Sequence, residues 1–184
     1  MANGTITATQ FNTYLAVEQR FVRTAARILG YCVWQAPTWD VVVEHAQALQ
    51  GLVGEQSDYF IARVVGPTVA LPVGHDALDV VVHEAVSTGY PAVITCLAAA
   101  ETLYLDWCRA AVQEAGGHVP GLASEWIHLH TTPEFMRSVG ALHTLLDSTD
   151  PGVLDDTQLD FWFNRMLAAE DRFHDSTTSE GTPS

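Results

Sequence analysis

Three glutamates occupy positions where apolar residues belong. Read at helical spacing, Ile94, Leu97, Glu101, Tyr104, Cys108 and Ala111 share one face, so a carboxylate interrupts an otherwise apolar stripe. The pattern recurs twice. Phe11, Tyr14, Glu18, Phe21, Ala25 and Ile28 form one stripe, and Leu159, Phe163, Met166, Glu170 and Phe173 form another. Each glutamate has an aromatic neighbour on its own face: Phe21, Tyr104 or Phe173. A single carboxylate at the edge of a stripe reaches water and needs no explanation. Three on three helices do, because burying an unpaired carboxylate costs several kcal/mol.

The chemistry open to such a set is acid/base catalysis in a shared pocket. Carboxylates held close in a low dielectric push their pKa values apart, so that one serves as base while another keeps its proton. Aromatic walls suit a flat, partly apolar ligand. A carboxylate suits the amidine-like donors of a heteroaromatic ring. A metal-dependent chemistry is the alternative: helical bundles hold two irons with carboxylates and histidines. Its ligands would be Glu101, Glu170 and His174, with His45, His75, His83 and His130 as further donors. The Glu170–His174 spacing is ExxxH, however, and not the ExxH of ferritin-like sites.

Composition narrows the field. The chain has 184 residues, 48% of them hydrophobic, and a net charge of −14. All eight basic residues are arginine, so there is no lysine for Schiff-base chemistry. No basic patch for nucleic acid is visible. The acidic excess reads as a solvated surface. Cys32, Cys96 and Cys108 form no CxxC pair and read as buried, reduced thiols. No long apolar run suggests a membrane span, and MANGTITATQ lacks the pattern of a signal peptide. The expectation is a soluble, cytoplasmic protein.

The elements that must position the glutamates read as helix after helix. The first is expected from Thr9 to Leu29, with Gly30 as its stop. The second is expected from Thr38, its N-cap, to Val65, bent by Gly51 and Gly54 and ended by Gly66-Pro67. After the loop Pro67–Gly74, a helix spans Asp76–Ser87. The next begins at Pro91 and runs to Ala115, where Gly116-Gly117 ends it. Ser124–His130 is a short helix. Thr132 and Pro133 open another that ends near Asp147, and the last spans Asp155–His174. The valine runs 41–43 and 80–82 continue at helical period. The fold class is therefore all-α: a single-domain bundle of about seven helices over residues 1–175, followed by a disordered tail, 176–184.

The order of the motifs FNTYLAVEQRFV, AETLYLDW, EWIHLHTTPEF and MLAAEDRFHDS resembles the TenA/thiaminase II family, which has the haem-oxygenase-like helical fold. The resemblance covers roughly Phe11 to Asp175. It implies hydrolysis of aminopyrimidines or cleavage of thiamin, a role in thiamin salvage, no cofactor, and a homo-oligomer, dimer or tetramer. One branch of the family uses a cysteine nucleophile in the central helix. Another has a glutamate followed three residues later by tyrosine, and Glu101 with Tyr104 is similar to this second pattern. The cysteine position falls at Ala100. Cys96, one turn earlier, does not inherit the nucleophile role.

By the same resemblance, Glu170 looks like the late-helix acid/base glutamate. Glu18 stands in place of a pyrimidine-binding aspartate, one methylene longer. Phe21 stands where a tyrosine is common and keeps the wall without the hydroxyl. His130 and Ala77 (or its neighbour Asp76) also stand at tyrosine positions, so the pocket departs from the family pattern. The expected catalytic set is Glu101, Glu170, Tyr104 and His130. The expected substrate-binding set is Glu18, Phe21, Ala77, Trp126 and Phe173. A binder that holds a heterocycle without turning it over is a further alternative. Trp34, Trp39, Trp107 and Trp162 are expected in the core or an interface. His118, His128 and His143 are expected to be solvated or simply hydrogen-bonded.

Overall fold

The computed structural model describes residues 7–64, 71–117, 119, 121, 123–150 and 152–178. Among these every regular element is helical. Helix α1 spans Ala8–Gln35, α2 Trp39–Gly51, α3 Ser57–Arg63, α4 Ala77–Thr88, α5 Tyr90–Glu114, α6 Ser124–Leu129, α7 Pro133–Asp147 and α8 Asp156–Thr178. A π-helical segment, Leu52–Gln56, joins α2 to α3 without a break. These three therefore form one rod, as the sequence predicts, and the irregular turn falls at Gly51 and Gly54. The architecture is an all-α bundle of a single domain.

Helix starts follow local chemistry. Thr7 and Gln10 form a reciprocal capping box on α1. The Thr38 hydroxyl accepts from the Val41 amide at 3.4 Å, and the Thr132 hydroxyl accepts from the Phe135 amide at 3.2 Å. Pro91 and Pro133 lie in the first turns of α5 and α7, where the missing amide costs nothing. Thr132→Ala is expected to cost about 1 kcal/mol. A lower urea midpoint with an unchanged m value would register it.

Helix stops were less legible. Gly30 does not end α1, which continues to Gln35. A glycine inside a helix costs only about 1 kcal/mol relative to alanine. The continued turn buries Cys32 completely, which offsets that cost. The actual stop is Ala36, extended at φ −55°, ψ 133°, because the residue before Pro37 is pushed out of the α region. Helix α6 ends at Leu129, so His130 is its C-cap. Helix α8 runs past His174 to Thr178, and Thr177 is buried. Residues 176–178 are therefore helix and not tail. Residues 179–184, His118 and the Gly66-Pro67 stop lie outside the described residues. Gly116 and Gly117 end α5 as expected, both in the left-handed region at φ 64° and 97°, which glycine enters without penalty.

Helix α5 is the centre of the bundle and packs against α1, α4, α6, α7 and α8. Ala92 through Cys96 and Ala98 through Ala100 are all buried. A helix buried on most sides needs small residues, and this run supplies them. Helix α8 packs on α5, α4 and α1. Thus the three helices that carry Glu18, Glu101 and Glu170 are mutual neighbours. Trp162 is buried, but Trp34 and Trp39 are 84% and 77% exposed and Trp107 is 40% exposed. Trp34 and Trp39, which flank the α1–α2 corner, therefore lie outside the core, and of the expected core or interface places only the interface is open to them. None of the described helices is long and apolar enough to cross a membrane.

Candidate active site

Glu170 is fully buried. Its Oε2 accepts a hydrogen bond from the Tyr104 hydroxyl at 3.1 Å, and its Oε1 is buried with no hydrogen-bond partner. Glu18 is also buried. The Trp126 indole N–H donates to its Oε1 at 3.3 Å, while Oε2 is buried and unpartnered. A buried carboxylate oxygen without a donor is costly and rare. Two such oxygens lie on neighbouring helices, α1 and α8.

An aromatic cluster surrounds the two carboxyls. The Tyr104 ring lies 5.5 Å from Trp126, 5.4 Å from His130 and 6.0 Å from His174. The Tyr14 ring lies 5.7 Å from Trp126 and 6.0 Å from Phe173, and it stacks on His174 at 5.6 Å. His130 Nδ1 is 2.8 Å from the Trp126 carbonyl. That oxygen only accepts, so Nδ1 carries the hydrogen and Nε2 is left with the lone pair. Burial lowers the pKa of His130, which keeps the ring neutral.

Glu101 differs from the other two. It keeps partial access to solvent and lines a cleft of about 1040 Å³. The cleft lies among α1, the α2–α3 rod, α5, α6 and α7, with Leu97, Leu129, Phe135 and Leu142 among its apolar walls. Glu101 is thus the wall of a cleft and not a core residue. Even so, desolvation by the surrounding protein pushes its carboxyl up to about 7.

The three carboxyls feel one another. Desolvation pushes Glu18 up to about 7; the nearby Tyr14 hydroxyl and the Trp126 indole N–H pull it back, and the Glu101 charge adds to the rise. Desolvation pushes Glu170 up to about 8; the Tyr104 hydroxyl opposes this, and the Glu18 and Glu101 charges add to it. His174 is driven the other way, to about 4, chiefly by desolvation. Near neutral pH the cluster therefore holds both ionised and protonated carboxyls beside neutral imidazoles. Acid/base chemistry needs that mixture.

Of the residues expected from sequence, Glu18, Tyr104, Trp126, His130, Glu170 and Phe173 meet in or against one cluster, with Glu101 coupled to it from the cleft. Phe21 packs against the core, partly buried, without a polar contact. Ala77 and Asp76 line a separate cleft of about 560 Å³ between α4 and α8, so Ala77 is removed from the substrate-binding set. Its position was read across the irregular segment before α4, where helical period gives no register. Cys32, Cys96 and Cys108 are buried thiols pushed up to about 12 by desolvation, which suits packing rather than nucleophilic attack.

The sequence matches no protein-family model and no curated protein.

The residues of the metal alternative are dispersed among the described helices. His174 Nε2 lies 3.8 Å from Glu170 Oε2. Yet among the described residues no three His, Cys, Asp or Glu side chains are grouped to hold an ion. His45 pairs instead with the Tyr90 hydroxyl at 2.8 Å. His75 and His83 turn their Nδ1 atoms to the carbonyls of Pro72 and Asp79. His128 and His143 are exposed, and His143 meets the Thr102 hydroxyl at 2.8 Å. Two phenols outside the expected sets are coupled to these carboxyls. The hydroxyls of Tyr14 and Tyr59 are buried without a hydrogen-bond partner, and both feel the Glu18 charge. Tyr14 precedes Glu18 by one turn on the same stripe, a signal present in the sequence. Tyr59 is brought in only by the fold.

Proposed function

We propose that this chain hydrolyses an exocyclic carbon–nitrogen bond of an aminopyrimidine-like heterocycle, as a TenA-like protein of haem-oxygenase-like topology. The observation that carries this reading is the coupling of three carboxyls, two of them buried, each with a raised pKa, on three adjoining helices beside aromatic rings. Water reaches Glu101 from the cleft. Ionised Glu101 takes a proton from that water as its oxygen attacks the carbon. The carbon–nitrogen bond breaks and a carbon–oxygen bond forms. Protonated Glu170, oriented by Tyr104, supplies the proton with which the amine leaves. Glu18 accepts from the ring's amino group, and the Nε2 lone pair of His130 orients a substrate N–H.

A binder without turnover is the second reading. It has one observation in its favour: of the three glutamates, Glu101 alone lines the cleft. The two readings separate in one experiment. Purified protein is screened for ammonia or amine release from aminopyrimidines and thiamin, and Glu101→Gln is compared with wild type for both release and affinity. Hydrolysis predicts release that Glu101→Gln lowers by about 10²–10⁴-fold with affinity nearly unchanged. Unchanged affinity with no release by wild type from any of these compounds supports the binder and refutes the enzyme.

A further inference from the structure

Glu170 spends a proton in each cycle and has no direct way to recover it. In the proposed reaction Glu101 gains a proton from water, and Glu170 loses one to the leaving amine. Both must be reset before the next substrate. Glu101 lines the cleft and can return its proton to water there. Glu170 has no exposed surface. Two side chains approach its Oε2. The Tyr104 hydroxyl donates to it at 3.1 Å, but burial, and then the Glu170 charge, raise the pKa of this phenol well above its ordinary value, so it holds its proton. The other is His174, whose Nε2 lies at 3.8 Å.

His174 lies between the sealed carboxyl and the surface. It follows Glu170 by one helical turn, so the two side chains share a face of α8. Its side chain is 15% exposed, against none for Glu170. The ring is held in place by its neighbours: it stacks on Tyr14 at 5.6 Å and meets Trp107 in a T-shaped contact at 4.8 Å. Trp107 is itself partly exposed, so this end of the cluster reaches the surface. An imidazole can take a proton at one ring nitrogen while giving one from the other. The 3.8 Å gap is longer than a hydrogen bond, so delivery needs the ring and the carboxylate to approach by about 1 Å.

We propose that His174 is the proton relay of Glu170, carrying protons from solvent to the sealed carboxyl, and that it serves the reaction only through that residue. This deepens the proposed function, whose acid it reloads. Burial supports the direction of flow. It lowers His174 to about 4 and raises Glu170 to about 8, so a proton that reaches the ring moves on to the carboxylate.

The test needs no substrate. A protonated carboxyl has its own infrared carbonyl band, and the band of Glu170 is the one lost in Glu170→Gln. At a pH below about 8 the carboxyl is protonated, and rapid mixing into heavy water shifts its band as the proton exchanges. Wild type is compared with His174→Gln, which stays polar but passes no proton, and with His174→Ala, which leaves room for free imidazole. Each is checked for an unchanged helical spectrum and cooperative melt. Both variants are expected to slow the shift about 10²-fold. Added imidazole is expected to restore the rate in His174→Ala and not in His174→Gln. A shift as fast as wild type, or faster, in both variants overturns the relay. So does slowing in His174→Ala that imidazole leaves untouched. Either result leaves the hydrolase reading standing, and a wild type that releases no ammonia refutes that reading without touching the relay.

Discussion

Glu170→Gln is expected to lower turnover by about 10²–10⁴-fold and, at pH 8, to make the fold more stable. The two effects share one cause. Glu170 is fully buried, and its carboxyl is pushed up to about 8 by desolvation. In the unfolded chain it ionises at the ordinary value of 4.5. At pH 8 the native state must either hold a proton that the solvent would take or bury a charge. Either cost amounts to a few kcal/mol, as an order of magnitude. Glutamine removes it and still offers a carbonyl to the Tyr104 hydroxyl. Thermal melts at pH 8 should rise by about 5 °C or more, while ammonia release collapses. A variant that is inactive but also less stable would mean that Glu170 is a structural anchor and not an acid held ready.

The pH dependence of stability is the second large effect, and its sign is unusual. Glu18, Glu101 and Glu170 have folded values of about 7, 7 and 8 against 4.5 when unfolded. Their folded pKa values are raised, so the stability they contribute is fully present below pH 4.5 and is lost as pH rises through 7 to 8. Each can contribute at most about 1.4 kcal/mol per pH unit in that window. Glu101 contributes less, because solvent screens it. His174 opposes them below 6.5. Its folded pKa is lowered to about 4, so its contribution is present above pH 6.5 and is lost as pH falls towards 4. Over 4.5 to 6.5 three carboxyls outweigh one imidazole, and above 6.5 the carboxyls act alone. Urea denaturation should therefore show stability falling by several kcal/mol from about pH 5 to pH 8. The double variant Glu18→Gln, Glu170→Gln should flatten most of that slope. A wild-type profile that is flat or rising across this range would contradict the raised carboxyls.

Much of this arrangement is written in local sequence, and the gaps have identifiable causes. Capping threonines and first-turn prolines act within one turn, so Thr38, Thr132, Pro91 and Pro133 could be read directly. Period fixed the three stripes and hence the three glutamates. A stripe says which side of a helix a residue is on. It does not say whether neighbouring helices close over it, and so Glu101 proved to be a cleft wall while Glu170 was sealed. Gly30 misled because a helical glycine costs less than the burial of Cys32 returns. Tyr59 was invisible because its place in the cleft wall depends on where the α2–α3 rod meets α1, a tertiary fact with no periodic trace. The exposed Trp34 and Trp39 have no structural explanation within this chain.

The most direct test of the central claim is the pH profile of ammonia release from an aminopyrimidine. A base and an acid drawn from coupled carboxyls of about 7 and 8 must give a narrow bell, because the base needs to be ionised and the acid protonated. The limbs report the set of carboxyls rather than single residues. Release peaking between pH 7 and 8 and falling on both sides, with the alkaline limb lost in Glu170→Gln, is the predicted result. Release that climbs steadily to pH 9 or beyond, or an alkaline limb that persists in Glu170→Gln, would contradict it.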